Sequence, residues 1–257
     1  MKIDYAIVSS DRNKFYYDFW EPCKKIWYHH IGIKPMLVYI SDKDKVTEKE
    51  DCVIHEIKEI KGINAGFQAQ VSRMYVPSLY PDKTFLTSDI DTIPIDRKYF
   101  NSTADSFSDD SIVIFNAAAY GYPFSPIWLR RYPICFNAAS GKTFNDILDL
   151  QCDFEEYCIR LINLNLDPTG GNKGIVNWHT DELYFGKKIH EFEKDNKKRV
   201  VKIPFKVIST DGRLIDRGMG NSYEKELVLK EHYICAHLER PRDVQTDQLV
   251  DLIMSMH

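Results

Sequence analysis

Thr84-Phe-Leu-Thr-Ser-Asp-Ile-Asp-Thr-Ile-Pro-Ile95 is the stretch that decides the fold. Its apolar start predicts a buried strand, and Asp89 and Asp91 follow where that strand ends. On an extended backbone, side chains two residues apart point to the same side, and two such carboxylates repel unless a cation, a proton or an arginine lies between them. Oxygen ligands suit Mg²⁺ or Mn²⁺, which usually also binds substrate phosphates. The alternative is a plain turn with solvated aspartates, because Asp-x-Asp alone is a common pattern.

The residues before this stretch predict a mostly parallel sheet. The expected strands and helices, in chain order, are a strand at 5–8, a helix at 15–31, strands at 36–40 and 52–57, and a helix at 65–79. Strands that alternate with helices along the chain favour a Rossmann-like α/β fold with helices on the faces of the sheet. Ligands bind such sheets at the carboxyl ends of the strands. Ser9 and Ser10 end the first strand as Asp89 and Asp91 end the fourth, so we expect all four to line one ligand site.

The second half of the chain has a less regular pattern. Its expected elements are a strand at 111–115, a tight turn at 137–141, one helix at 143–164, a helix that Thr180 caps, strands at 204–208 and 233–237, and a C-terminal helix from about residue 244. We interpret residues 1–257 as a single domain with two halves, at 1–95 and 96–257.

Composition excludes several classes of protein. A net charge of −4 gives no electrostatic basis for general binding of nucleic acid. No segment reaches the roughly 20 apolar residues of a transmembrane helix, and the N-terminus lacks the apolar region of a signal peptide. The six cysteines form no Cys-x-x-Cys pair, which indicates reduced thiols in a soluble, cytoplasmic protein. The apolar stripe of the C-terminal helix is expected to pack in the core, although it could dock to a membrane or to a second copy; the oligomeric state stays open.

Four stretches together point to a known family. They are Ala69-Gln-Val-Ser-Arg73 with the Ser88-Asp89-Ile90-Asp91 segment, Phe136-Asn-Ala-Ala-Ser-Gly141, Thr180-Asp181-Glu182-Leu183, and Ala236-His237 with Arg240-Pro241. In these stretches the chain resembles nucleotide-sugar-dependent glycosyltransferases of the GT-A fold, of the glycogenin-like and galactosyltransferase-like pattern. The tail after His237 departs from the family, since it reads Glu-Arg-Pro-Arg instead of a Gly followed by Lys-Pro-Trp.

The resemblance implies a metal-dependent transfer of a sugar from a nucleotide-sugar donor to a hydroxyl of a glycan or glycoconjugate acceptor. It also implies a nucleotide-binding half at 1–95 and an acceptor-binding, catalytic half at 96–257, with a smaller subregion on the acceptor side. It implies that Asp91 and His237 bind the metal directly, with His232 and His179 as the alternatives for the histidine. Asp89 would contact the ribose of the donor, or the metal through water. A nitrogen ligand favours Mn²⁺ over Mg²⁺. A UDP-sugar is the favoured donor, with a GDP-sugar as the alternative.

Three further positions have implied roles. Arg73 would bind Asp89 or phosphate, and Arg240 would bind phosphate. Asp181 is the candidate catalytic carboxylate, with Glu182 as its alternate: an inverting enzyme would use it as a base, and a retaining one to position the sugar. The structural alternative for both acids is that they complement the helix dipole.

Other interpretations stay open at this point. A nucleotidyltransferase that forms sugar nucleotides has a similar sheet, but the turn after the first strand lacks its glycine-rich loop. A non-catalytic carbohydrate-binding protein would leave Asp89, Asp91 and His237 unexplained. The aromatic residues at 120–128 and Trp178 could stack on a sugar or pack in the core, and the loop at 167–174 could be a lid or a plain connection.

Overall fold

The first strand, β1 (Tyr5–Ser10), sets the layers of the fold in the computed structural model, which describes residues 1–118, 131–170, 174–203, 213–217, 220 and 222–256. Successive side chains of a strand point to opposite faces of a sheet. Ala6 and Val8 accordingly pack into one buried apolar cluster and Ile7 into the other. The sheet thus lies between two hydrophobic cores, and its strand ends are left to carry polar residues.

Eleven strands are found in the described part of the chain. In chain order, the ten that follow β1 are β2 (Lys34–Ser41), β3 (Lys45–Glu48), β4 (Val53–Lys58), β5 (Thr84–Thr87), β6 (Thr92–Pro94), β7 (Ile112–Ile114), β8 (Asn137–Ser140), β9 (Val200–Lys202), β10 (Leu214–Asp216) and β11 (Cys235–His237). Eight of them form one sheet in the order β3-β4-β2-β1-β5-β8-β7-β9, to which both halves of the chain contribute. β3 and β8 run against their neighbours, and the other pairings are parallel. The predicted mostly parallel α/β sheet is therefore confirmed.

A second, smaller sheet has the order β10-β11-β6. Only four residues, 88–91, separate the end of β5 from the start of β6, so the Asp89–Asp91 segment connects the two sheets. His237 pairs with Thr92 on one side and with Asp216 on the other. This arrangement brings the ends of β10 and β11 to the Asp89–Asp91 segment.

Helices cover both faces of the large sheet. The described helices are α1 (Lys14–Tyr17), α2 (Trp20–Lys25), a π-helix at Ile26–Ile31, α3 (Ala65–Ser78), α4 (Arg97–Asp105), α5 (Gly141–Leu148), α6 (Phe154–Asn163), α7 (Thr180–Asn196), a 3₁₀ turn at Lys197–Arg199, α8 (Lys225–Leu229) and α9 (Val244–Met254). The C-terminal helix α9 packs its Leu249 and Ile253 into the core, as the sequence predicts. No helix among the described residues is long and apolar enough to cross a membrane.

Three sequence predictions were wrong in detail. The expected turn at 137–141 is the strand β8 up to Ser140, because the small side chains of this segment fit between β5 and β7. The single helix expected at 143–164 is divided into α5 and α6, since Asp149 adopts a left-handed conformation with φ 52° at the end of α5. The single helix expected at 15–31 is divided into α1, α2 and the π-helix at Ile26–Ile31. The aromatic segment at 120–128, the strand at 204–208 and part of the 167–174 loop lie outside the described residues.

Candidate functional site

The Asp89–Asp91 segment lies where β5 ends, next to β1. Ser88 N donates a hydrogen bond to Ile7 O at 2.9 Å, which holds the segment against β1. The backbone is not extended beyond this point, because Thr92 N donates to Asp89 O at 3.1 Å and closes a turn. The two carboxylates consequently have separate partners, which form two clusters on either side of the turn.

The first cluster is centred on Arg73 of α3, which is 7% exposed. Its Nη1 donates to Ser88 O at 3.0 Å and to Asp89 Oδ1, and its Nη2 lies 3.5 Å from Asp181 Oδ2. The structure thus brings Arg73 and Asp89 together, as expected, and adds Asp181 from a helix more than 100 residues away in sequence.

Asp181 lies in the first turn of α7, and several contacts fix the start of that helix. Gln70 of α3 donates its Nε2 to Trp178 O at 3.3 Å, and Asp167 accepts from His179 N at 2.7 Å and contacts His179 Nδ1 at 3.2 Å. Asp181 is 4% exposed. Burial raises its pKa to about 6, although the nearby Arg73 acts to lower it. A carboxyl group with a pKa near neutrality is suited to proton transfer.

Glu182, the alternate catalytic residue, has a different environment. Its Oε2 lies 3.6 Å from Arg131 Nη1, and its side chain is partly exposed. Glu182 is next to Asp181 in sequence, but its described ion pair is with Arg131, whereas that of Asp181 is with Arg73. Asp181 is therefore the acid that the structure joins to the Asp89–Asp91 turn.

The second cluster is centred on Asp91, which is 4% exposed. Its Oδ2 accepts from Arg217 Nη1 at 2.8 Å and lies 3.1 Å from Arg240 Nε and 3.7 Å from His237 Nε2. Burial by itself raises the pKa of Asp91, but contact with His237 and the two guanidinium groups holds it well below the usual range. Asp91 is thus ionised and lies among cationic groups.

His237 lies between two carboxylates. Its Nε2 faces Asp91, and its Nδ1 lies 3.5 Å from Asp216 Oδ2 at the end of β10. Burial lowers its pKa, but the contacts with Asp216 and Asp91 outweigh burial and raise the pKa to about 9. A metal-binding histidine commonly has a carboxylate on its second ring nitrogen, and Asp216 occupies that position.

Tyr16, on α1 just after β1, completes the second cluster. The guanidinium carbon of Arg240 lies 4.6 Å from the centroid of its ring, a cation–π contact. Burial raises the pKa of the Tyr16 hydroxyl, and both Asp91 and Asp89 add to that effect. The charges of both carboxylates therefore act on the Tyr16 hydroxyl.

Not every predicted residue contacts these clusters in the described structure. Ser9 is half-buried at the end of β1, and the buried Ser10 donates its hydroxyl to Asp11 O at 2.9 Å. Both serines share the strand-end edge of the sheet, but no described hydrogen bond joins either hydroxyl to Asp89 or Asp91. Arg242, two residues after Arg240, instead binds Asp247 through its Nε at 2.7 Å and anchors α9.

Three residues of the site were missed by the sequence analysis: Tyr16, Asp216 and Arg217. A signal for two of them was present, since Asp216 and Arg217 follow the apolar pair Leu214-Ile215, just as Asp89 follows an apolar strand. The strand-end rule that indicated Asp89 would have indicated them too. Tyr16 had no comparable signal, because aromatic residues are more often part of the core.

A divalent cation would have two protein ligands here once His237 has lost the proton on its Nε2. Asp91 Oδ2 and His237 Nε2 face each other at 3.7 Å, while Asp89 binds Arg73 on the far side of the turn. Within the described residues, no three His, Cys, Asp or Glu side chains are placed to hold a metal ion together. A carboxylate and an imidazole nonetheless fit Mn²⁺ or Mg²⁺ in sites where substrate phosphates and water supply the other ligands.

Comparison with known proteins identifies the architecture. No protein family and no curated protein sequence matches the chain. The solved glycosyltransferase GlyE of Streptococcus pneumoniae TIGR4 aligns with 99% of this chain, with a TM-score of 0.50 and 11% identity; the chain covers 61% of GlyE. The galactosyltransferase LgtC, solved in complex with donor and acceptor sugar analogs, aligns with 98% of this chain and 95% of its own length, with a TM-score of 0.50 and 10% identity. The chain therefore has the α/β fold of glycosyltransferases, as the resemblance in its sequence implies.

Proposed function

We propose that this chain is a glycosyltransferase that moves a sugar from a nucleoside-diphosphate sugar to a hydroxyl group of a glycan or other glycoconjugate. The observation that supports this proposal best is the division of the site by the Asp89–Asp91 turn. One side has a buried acid, Asp181, whose pKa is about 6. The other side has Arg217, Arg240 and His237 around Asp91. One side thus suits a reacting hydroxyl and the other suits phosphates.

Negative charge develops on the diphosphate as the bond between sugar and oxygen breaks. Cationic groups fixed near the leaving group stabilise that charge. Arg240 makes a cation–π contact with the ring of Tyr16, and Arg217 donates a hydrogen bond to Asp91. Both guanidinium groups therefore lie at the strand-end edge, where α/β sheets bind nucleotides. We favour a UDP-sugar donor, with a GDP-sugar as the alternative, because the resemblance is to glycogenin-like and galactosyltransferase-like enzymes.

Asp91 and His237 would hold the divalent cation, Mn²⁺ before Mg²⁺ because one ligand is a nitrogen. A bound cation would supply positive charge to the leaving diphosphate. Asp216 would fix the orientation of His237 through Nδ1. Asp89, which Arg73 holds at the turn, would contact the donor or the cation through water.

Asp181 would act on the sugar or on the acceptor. In an inverting reaction it would take the proton of the attacking hydroxyl, and in a retaining reaction it would position the transferred sugar. Glu182 is the alternate for either role. We also propose that the protein acts in the cytosol, where its six cysteines, all free and five of them buried, would remain thiols.

A donor panel tests the proposed function. UDP-sugars and GDP-sugars are titrated with and without Mn²⁺, and release of the nucleoside diphosphate is followed for the wild type and Asp91→Asn. We expect one nucleotide class to bind and turn over with Mn²⁺, and Asp91→Asn to abolish turnover while the fold survives. Asp251→Asn, the same change at an exposed position on α9, serves as the control. Consumption of a nucleoside triphosphate with release of pyrophosphate would instead identify a nucleotidyltransferase.

A further inference from the structure

Two guanidinium groups bind the same oxygen of Asp91. Arg217 Nη1 lies 2.8 Å and Arg240 Nε 3.1 Å from Asp91 Oδ2, the oxygen that also faces His237. The aspartate is almost fully buried, so its charge is screened little by solvent. In this state the carboxylate that would bind a cation is already neutralised by arginines.

This arrangement opposes the binding of a divalent cation alone. An ion at Asp91 Oδ2 would lie a few ångströms from two positive charges at a site with little water, where repulsion between like charges is strong. The ion would therefore have to displace Arg217 and Arg240, and displacing them without another anion would leave both guanidinium groups unpaired in a partly buried place.

The same arginines can take up a different anion. Their side chains are 24% and 19% exposed, so both reach the surface of the site. No described residue accepts a hydrogen bond from the terminal nitrogens of Arg240, while Tyr16 holds the plane of its guanidinium. A planar guanidinium with spare donors binds phosphate through two parallel hydrogen bonds, which is stronger than a contact through one nitrogen.

We propose that Arg217 and Arg240 make cation binding conditional on the donor: the diphosphate draws both guanidinium groups away from Asp91, and only then do Asp91 and His237 accept the cation. This inference rests on the proposed function, because it takes a nucleoside diphosphate as the ligand. It goes further in adding Arg217 to the donor site and in predicting that nucleotide and cation bind together. Linkage requires each ligand to raise the affinity of the other by the same factor.

The coupling factor is measured directly, without turnover. Free Mn²⁺ is followed by electron paramagnetic resonance in titrations of the protein with and without UDP or GDP, corrected for the complex of Mn²⁺ with nucleotide in buffer. Calorimetry gives the affinity for UDP or GDP with and without Mn²⁺. For the wild type we expect weak binding of Mn²⁺ alone and a mutual increase in affinity of more than about tenfold, equivalent to about 1.4 kcal/mol.

Arg240→Gln is the informative variant, since Arg217 and His237 remain on Asp91 and preserve the fold. We expect it to bind Mn²⁺ alone more tightly, to bind the nucleotide alone more weakly, and to have a smaller coupling factor. Arg217→Lys keeps the charge but removes the planar group, so we expect Mn²⁺ alone to bind as weakly as to the wild type. Arg242→Gln removes the same charge from the same loop, at a residue that binds Asp247 instead of Asp91, and should match the wild type.

Two outcomes would overturn the inference. One is a wild type that binds Mn²⁺ alone as tightly as in the presence of the nucleotide. The other is an Arg240→Gln variant with the coupling factor and the affinity for Mn²⁺ of Arg242→Gln. A wild type that binds neither UDP nor GDP with Mn²⁺ would contradict the proposed function, whereas the titrations with Mn²⁺ alone would still decide whether the arginines oppose the cation.

Discussion

Arg73 Nη2 lies 3.5 Å from Asp181 Oδ2, a contact between two buried side chains that joins α3 to the first turn of α7. The same guanidinium also binds Asp89 at the end of β5. One positive charge is thus shared between two carboxylates, and this sharing leaves Asp181 incompletely compensated in a buried place. The raised pKa of Asp181 follows from burial that a shared arginine does not offset.

The substitution Asp181→Asn should lower transfer much more than donor binding. It removes the carboxylate but keeps the size of the side chain, so that Arg73 stays on Asp89. If Asp181 is the base, kcat should fall by about 10²–10⁴-fold, with donor affinity within about tenfold of the wild type. Steady-state transfer assays give kcat, and calorimetry gives the donor affinity.

Glu182→Gln is the matched comparison for this prediction. Its carboxylate pairs with Arg131 instead of Arg73, so transfer by the variant should remain close to that of the wild type. An equal loss of donor binding and turnover in Asp181→Asn would show a role in binding. A large loss of turnover in Glu182→Gln alone would transfer the catalytic role to Glu182.

The stability of the protein should depend on pH through Asp181. Its pKa is about 6 in the folded protein against an ordinary value of 3.8, so the folded state binds the proton more tightly than the unfolded state. The protonated carboxyl of Asp181 therefore stabilises the fold at low pH, and this stabilisation is lost as the pH rises from about 4 to 6. Asp181→Asn should be more stable than the wild type at pH 7, by on the order of 2 kcal/mol, and equally stable near pH 4. Urea unfolding at both pH values checks this, and a variant less stable at pH 7 would contradict the burial argument.

The carboxylate of Asp216 should matter for cation binding although it faces the far nitrogen of His237. Asp216→Asn keeps a hydrogen-bond acceptor but removes the charge that supports the imidazole. We expect the affinity for Mn²⁺, measured at saturating nucleotide, to fall by about 10–100-fold. Nucleotide affinity without metal should stay unchanged, which separates this effect from a general loss of structure. An unchanged affinity for Mn²⁺ would show that Asp216 does not support His237 as a ligand.

The parallel part of the sheet was predictable because its strands are apolar runs that end in polar residues. β1, β2, β4 and β5 all have this pattern, and helix-forming segments separate most of them. β8 was not predictable in the same way, because Asn137-Ala-Ala-Ser140 has small side chains without strand preference. Its conformation comes from two partner strands, β5 and β7, both of which lie more than 20 residues away in sequence.

The positions of the candidate site residues in the fold were predictable where these residues lie near one another in sequence or at clear strand ends. Asp89, Asp91 and His237 satisfy this condition, and the contact of Arg73 with Asp89 follows from the packing of α3 beside the sheet. The contact of Arg217 with Asp91 spans 126 residues and depends on how the small sheet folds back over the turn. No local sequence pattern predicts a contact between residues so far apart, so the cluster of guanidinium groups is found only from the folded structure.

Gly141 should be irreplaceable at the junction of β8 and α5. A Cβ at this position would lie 2.2 Å from both Pro77 O and Tyr80 O, which belong to the backbone at the end of α3 and cannot move as a side chain would. We expect Gly141→Ala to lower the free energy of unfolding by about 1–3 kcal/mol, since overpacking forces the backbone apart. Gly66→Ala in α3 is the control, because its nearest neighbour is the Asn64 side chain at 3.1 Å and alanine favours a helix. Urea unfolding should give a lower free energy of unfolding for Gly141→Ala and an equal or higher one for Gly66→Ala than for the wild type. A Gly141→Ala protein as stable as the wild type would contradict this close approach of α3 and α5.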